Sequence, residues 1–253
     1  MWVEIAEVPF EVRCRYMDAE AFFSDYRTDK EPQFVIEPTD ADLQEMQATF
    51  DKKLKREGKL AKQYDNAILE EYAILVQLSK EMVFRNVLML HGSALCMDGE
   101  AYIFTARSGT GKSTHARFWR ETFGDRVWMI NDDQPMLRIE DDKVTVFGTP
   151  WDGKHHLSCN ASAPLKAIAW LRRAETNSIR QMPKEKAFPI LLDGAFGSNE
   201  PAVMAQAMQL EAKLLDAIPF YELGCNMTTE AALVAWEGMH NQSVPYEPAS
   251  LSR

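Results

Sequence analysis

The stretch Tyr102-Ile103-Phe104-Thr105-Ala106-Arg107-Ser108-Gly109-Thr110-Gly111-Lys112-Ser113-Thr114-His115-Ala116 decides how the rest of the chain is read. Its first four residues are aromatic or β-branched, the pattern of a buried strand. Gly109 and Gly111 let the backbone curl without a Cβ clash, so that successive N–H groups converge on one point. From Lys112 a helix is predicted to about Phe123, and its positive dipole end falls at the same point. Strand, glycine-containing loop and helix in this order form a cradle for phosphate. Ser108, Gly109, Thr110, Gly111, Lys112, Ser113 and Thr114 are the candidate nucleotide-binding residues. Lys112 is placed to reach the terminal phosphates, and the Ser113 hydroxyl to ligate Mg²⁺. Ala106 stands where such loops usually begin with glycine, a change that a negative φ tolerates. The bland alternative is a glycine-rich turn that holds nothing.

Working outward, Ser93–Met97 and Ala101–Thr105 flank Asp98-Gly99, a strong hairpin-turn dipeptide. The short apolar run Val87–Leu90 precedes them and ends in His91-Gly92. Beyond the helix, Val127–Ile130 is a strand that ends at Asn131-Asp132-Asp133. Met136–Ile139 and Val144–Phe147 form a second hairpin around Asp141-Asp142, and Ala167–Leu171 is another strand. Helices at Ala202–Ile218 and Thr229–Met239 are separated by a short strand at Phe220–Leu223, with Met204, Met208 and Leu215 read as core. Hairpins mixed with a strand–loop–helix unit predict an α/β fold with a mixed sheet and flanking helices rather than an all-parallel sheet. Residues 2–36 read as mostly extended. Thr39 and Asp42 form a capping pair opening a helix to about Arg56. A second helix, Ala67 to Phe84, carries Ile68, Tyr72, Leu75 and Met82 on one face. The organisation expected is an N-terminal β-rich and helical accessory region, 1–85, and a catalytic domain, 86–253.

The composition of the 253 residues, 46% hydrophobic and 26% charged, is that of a globular protein with ample core. A formal net charge of −10 argues against nucleic acid as a partner. No apolar run approaches the ~20 residues of a membrane helix, and Met1–Glu20 lacks the basic start and apolar stretch of a signal peptide. Cys14, Cys96, Cys159 and Cys225 lie far apart with no CxxC pair, so a reduced cytoplasm is expected. The basic cluster Lys52, Lys53, Lys55, Arg56, Lys59 and Lys62 is either a solvated helix face or a docking patch for an acidic partner.

A phosphate cradle needs a carboxylate near Mg²⁺ and, in a phosphotransferase, a base for the acceptor hydroxyl. Asp132 and Asp133 stand at a strand end where such carboxylates emerge. Both reach the site only if the chain bends there, since neighbouring strand residues face opposite ways. His91 is either a catalytic partner or a satisfied turn residue. Trp151-Asp152-Gly153-Lys154-His155-His156 is either a substrate or nucleotide loop, with Lys154 near developing phosphoryl charge, or a polar turn anchored by Trp151.

With His91-Gly92, a hairpin, Ala106–Thr114 and a strand ending in Asn131-Asp132-Asp133, the chain resembles the catalytic domain of the HPr kinase/phosphorylase family, one of the PEP carboxykinase-like P-loop kinases. Gly148–Lys154, Ala163–Leu171 and Phe220–Asn226 look like a smaller group of relatives, among them tailoring kinases of lasso-peptide clusters. The resemblance spans about residues 87–235. It implies ATP and Mg²⁺ as cofactors, with Lys112 on the phosphates, Ser113 and Asp133 serving Mg²⁺, Asp132 as general base, and His91 supporting Asp132. The expected acceptor is a hydroxyl, most simply serine, on a peptide, protein or small molecule. HPr kinases assemble, so a homo-oligomer is one expectation. The glycine-rich segment associated with phosphorylase activity finds no match. A regulatory ATP-binding module, or a peptide-binding protein with a degenerate nucleotide site, are the rival expectations.

Overall fold

Asp98 and Gly99 both take positive φ, 52° and 86°, and close a hairpin of the larger sheet as their sequence predicts. The computed structural model describes residues 1–107, 109–153, 156–194 and 200–240. Its contacts divide the chain into two units, Met1–Arg85 and Asn86–Arg253.

In the first unit, β1 (Trp2–Ile5) and β2 (Val8–Val12) form a hairpin, and a two-residue β3 (Val35–Ile36) lies parallel to β2. Arg13–Tyr16, read as extended, lies outside the strand. A short helix α1 (Ala19–Phe22) intervenes before β3. Glu70 explains the turn away from the sheet: fully buried, its carboxylate accepts the backbone N–H groups of Arg15, Tyr16 and Met17 at 2.7–2.8 Å. Helix α2 (Asp40–Arg56) opens on the predicted capping box of Thr39 and Asp42. Helix α3 (Asn66–Val83) follows, capped by Asp65. Leu43 and Met46 pack on Leu69 and Ala73. Of the face read from the spacing, Leu75 and Met82 are buried, whereas Ile68 and Tyr72 are 41% and 37% exposed, the Tyr72 ring standing edge-on to Phe50 of α2. The six basic residues of the 52–62 segment are all exposed.

Among the described residues the second unit holds nine strands in one mixed sheet. They are β4 (Val87–Met89), β5 (Ser93–Met97), β6 (Glu100–Thr105), β7 (Val127–Asn131), β8 (Met136–Glu140), β9 (Lys143–Phe147), β10 (Ser162–Arg173), β11 (Ser178–Gln181) and β12 (Phe220–Cys225). The path runs β4-β8-β9-β10-β6-β5-β7, with β12 beside β10 and β11 beside β12. β10 organises it. Its first residues pair antiparallel with β9, and the remainder runs parallel to β6 on one side and β12 on the other. Such a central strand is buried on both faces, and its apolar run Ala167–Leu171 is the one legible in the sequence.

Helix α4 (Lys112–Phe123) leaves β6 through the glycine loop and buries Ala116, Phe118 and Trp119 against Tyr102, Phe104 and Met129, where α7 (Glu230–His240) joins through Ala232, Ala235 and Met239. Helices α5 (Lys184–Gly194) and α6 (Pro201–Ala217) pair with each other, and α6 lies against β4, β8 and β9. Leu215 is buried as expected, together with Leu210 and Leu214, but Met204 and Met208, also expected in the core, are 43% and 38% exposed. The chain is therefore α/β with a mixed sheet and flanking helices. Among the described residues no helix is long and apolar enough to cross a membrane.

Candidate active site

The loop between β6 and α4 takes the geometry its glycines were read for. Gly109 and Gly111 have φ of 76° and 122°, and a Cβ at Gly109 would meet nothing within 4 Å. Backbone conformation rather than space therefore demands glycine there. Gly111 is the N-cap of α4, so no side-chain cap competes for the N–H groups of the first turn. Arg173, at the end of β10, donates from Nη2 to the Gly109 carbonyl at 2.7 Å and braces the loop from behind. Ser108 lies outside the described residues, as do Lys154 and His155.

At the mouth of the loop, Lys112 Nζ is 2.8 Å from His91 Nε2. An ammonium only donates, so Nε2 accepts and the ring proton sits on Nδ1. Nδ1 in turn faces Asp133 Oδ1 at 3.0 Å, which completes a chain from Lys112 through His91 to Asp133. Burial lowers the Lys112 pKa, and Asp133 and Asp132 oppose that shift. His91 is positioned by backbone: its N–H donates to Gly194 O at 3.0 Å, and its carbonyl accepts from Thr105 Oγ1 at 3.0 Å. The carboxylate beside His91 is thus Asp133, not Asp132 as the resemblance implies.

Asp132 sits differently. It is 5% exposed, and its Oδ1 accepts from Ser93 Oγ at 2.7 Å. A Cβ at Gly153 would lie 3.0 Å from Asp132 Oδ2, so the 151–153 turn closes directly over this carboxylate.

The bend that brings both aspartates to one place is made by Asn131, whose role the sequence did not disclose. Fully buried, its Oδ1 accepts the N–H groups of Asp133 and Gln134 at 2.8 and 2.7 Å. Its Nδ2 donates to the carbonyls of Thr149 and Trp151 at 3.0 and 3.3 Å. The only sequence signal was an Asx residue before a turn. Trp151 is 4% exposed, so its side chain is an anchor and not an accessible wall of a substrate loop. His156 pairs with Asp152 at 3.0 Å.

Two cavities flank the loop. One, of about 490 Å³, is lined by Ser113, Arg117, Arg120, Met129, Asp132 and Leu157. The other, of about 500 Å³, is lined by His91, Ala106, Arg107, Trp170, Pro189 and Ile190. Ser113 and Asp132 therefore share a space, and they offer the hard oxygen donors that Mg²⁺ takes. Among the described residues no three His, Cys, Asp or Glu side chains gather as a metal-binding group. A divalent ion here would complete its shell with phosphate and water oxygens, which is the habit of Mg²⁺.

No family model matches the chain, and no curated protein matches it. Among solved structures it is similar to the HPr(Ser) kinase/phosphatase from Coxiella burnetii, with 10% identity over 61% of this chain and 97% of that chain and a TM-score of 0.36. That is a distant likeness of fold, and the chemistry has to follow from this chain's own residues.

Proposed function

We propose that this protein is a kinase that uses ATP and Mg²⁺ to transfer the γ-phosphoryl group to a hydroxyl acceptor, with serine the simplest candidate. The observation that carries the reading is the hydrogen-bonded chain Lys112–His91–Asp133 at the mouth of a loop whose helix N-terminus carries no side-chain cap. The loop amides and the first turn of α4 hold the phosphates, and Lys112 adds the fixed charge that the transferring group needs. Ser113 and Asp132 hold Mg²⁺, with the Ser93 hydroxyl orienting Asp132 from behind. When bound, Mg²⁺ neutralises phosphate charge.

His91 engages one oxygen of Asp133 and leaves the other to take the acceptor proton as the hydroxyl attacks. This exchanges the roles that the resemblance assigns to the two aspartates. The buried, Ser93-bound carboxylate that shares a cavity with Ser113 suits the metal, and the half-exposed one that His91 orients suits proton transfer. Trp170, Pro189 and Ile190 offer an aromatic and apolar surface beside the loop for the nucleoside.

Calorimetry of ATP binding with Mg²⁺, on wild type and Lys112→Ala, tests the cradle first. Binding lost in the variant is the expected result, and no binding in the wild type would end the proposal. Labelled ATP with serine-bearing acceptors then separates the aspartates. Asp133→Asn should bind Mg·ATP and fail to transfer, whereas Asp132→Asn should raise the Mg²⁺ requirement. Full transfer by Asp133→Asn would refute its role as base.

A further inference from the structure

The cavity that Ser113 and Asp132 share continues along α4 past the reach of a phosphate cradle. Ser113, Arg117 and Arg120 recur at helical spacing on one face of α4, and all three line this cavity. From Ser113 to Arg120 the helix advances about 10 Å, at about 1.5 Å per residue. The nucleotide's phosphates are served within the first turn, by backbone N–H groups, Lys112 and Ser113. The two guanidinium groups stand about one and two helical turns beyond Ser113.

Their own partners are few. The nearest carboxylate to Arg117 is Glu121, at 3.8 Å on an exposed surface, a weak pairing. Among the described residues no ion pair engages Arg120, and its Nε is enclosed with no acceptor. The cavity therefore presents two cations against the single carboxylate of Asp132, in a chain whose formal net charge is −10. Met129 and Leu157 add apolar wall. Such a space suits a short carbon skeleton with an anion at one end.

Resting on the kinase reading above, we infer that this cavity seats an anionic group of the acceptor. The acceptor is a hydroxy compound that also bears a carboxylate or phosphate, held by Arg117 and Arg120 within about 10 Å of the transferring phosphoryl group. Planar guanidinium groups pair with either anion in a two-point fork, so the acceptor hydroxyl would be oriented as well as retained.

The test uses the full chain with the loop already filled by Mg²⁺ and a non-hydrolysable ATP analogue, so that added anion cannot bind there. Sulfate is titrated as the probe and followed by the side-chain Nε–Hε NMR signals of the arginines. Saturable binding in the millimolar range is expected, weakened at least tenfold by Arg120→Ala or Arg117→Ala, with analogue affinity changed less than about twofold. Titrations with acetate and phosphate then tell a carboxylate seat from a phosphate seat. No saturable sulfate binding, or equal binding by wild type and Arg120→Ala, would overturn the inference. So would a large loss of analogue affinity in the arginine variants, which would hand them to the nucleotide. If the analogue does not bind at all, the kinase reading fails by itself. Sulfate titration of Lys112→Ala, whose cradle is disabled, then decides the arginine site separately.

Discussion

Glu211 on α6 offers a prediction whose size follows from its surroundings. It is 1% exposed and faces Leu88, Met89, Leu90, Leu137, Leu191 and Leu214. Neither carboxylate oxygen has a hydrogen-bond partner among the described residues. Burial pushes its pKa from 4.5 up to about 7. Between those values the folded chain keeps a proton that the unfolded chain has released. Stability is therefore full below pH 4.5 and is lost as pH rises through 7. A shift from 4.5 to about 7 is worth about 3 kcal/mol at 1.36 kcal/mol per unit, of which about 2.5 falls between pH 5 and pH 8.5. Glu211→Gln removes the titration while keeping shape. Urea unfolding followed by tryptophan fluorescence at both pH values should show the wild type losing about 2.5 kcal/mol more than the variant on the way up. Equal losses in the two proteins would refute the assignment and mean that Glu211 finds a partner or water in solution.

Three further outcomes are expected. Asn131→Ala strands the N–H groups of Asp133 and Gln134 and the carbonyls that Asn131 Nδ2 serves, and should destabilise by about 3–5 kcal/mol in urea titrations. Gly153→Ala puts a Cβ against Asp132 Oδ2, and should leave stability nearly unchanged while lowering the phosphoryl-transfer rate by about 10- to 100-fold, read with labelled ATP. Trp170→Ala should weaken Mg·ATP binding in calorimetry by about 1–3 kcal/mol if the indole stacks on the base, while leaving inorganic triphosphate binding untouched.

Where local chemistry decides conformation, the sequence was a good guide. Asp98-Gly99, the Thr39–Asp42 box and Gly109 and Gly111 impose their backbone geometry whatever surrounds them, and each appears as expected. The hairpin turn at Ala6-Glu7 escaped notice because both residues adopt positive φ, 50° and 61°, without the glycine or asparagine that usually announces it. β11 and α5 were missed for another reason. Ser178–Gln181 is a polar strand stabilised by pairing with β12, and α5 carries Pro189 within it. His91, Lys112, Asp132 and Asp133 were legible in the sequence as residues but not as pairs. Which aspartate meets His91 depends on how Asn131 bends the strand end, and a string of letters does not show the bend. Whether Met204 and Met208 lie inside depends on which face of α6 meets the sheet, which periodicity alone leaves open.

The placement of β10 also sets an order of events during synthesis. Its antiparallel partner β9 precedes it closely, but the parallel neighbours on its other half, β6 and β12, are far away along the chain. Pairings across long sequence separations form late. At roughly 5–20 residues per second a ribosome needs on the order of five seconds to travel from Arg173, the end of β10, to Cys225, the end of β12. Throughout that interval β10 has no β12 beside it, and Arg173 at its end, the brace on Gly109, lacks its final footing. The glycine loop is encoded early in the second unit, but the Arg173 brace on Gly109 stands on a strand whose parallel partner β12 is made later still, so the loop gains its full support well after its own residues are synthesised.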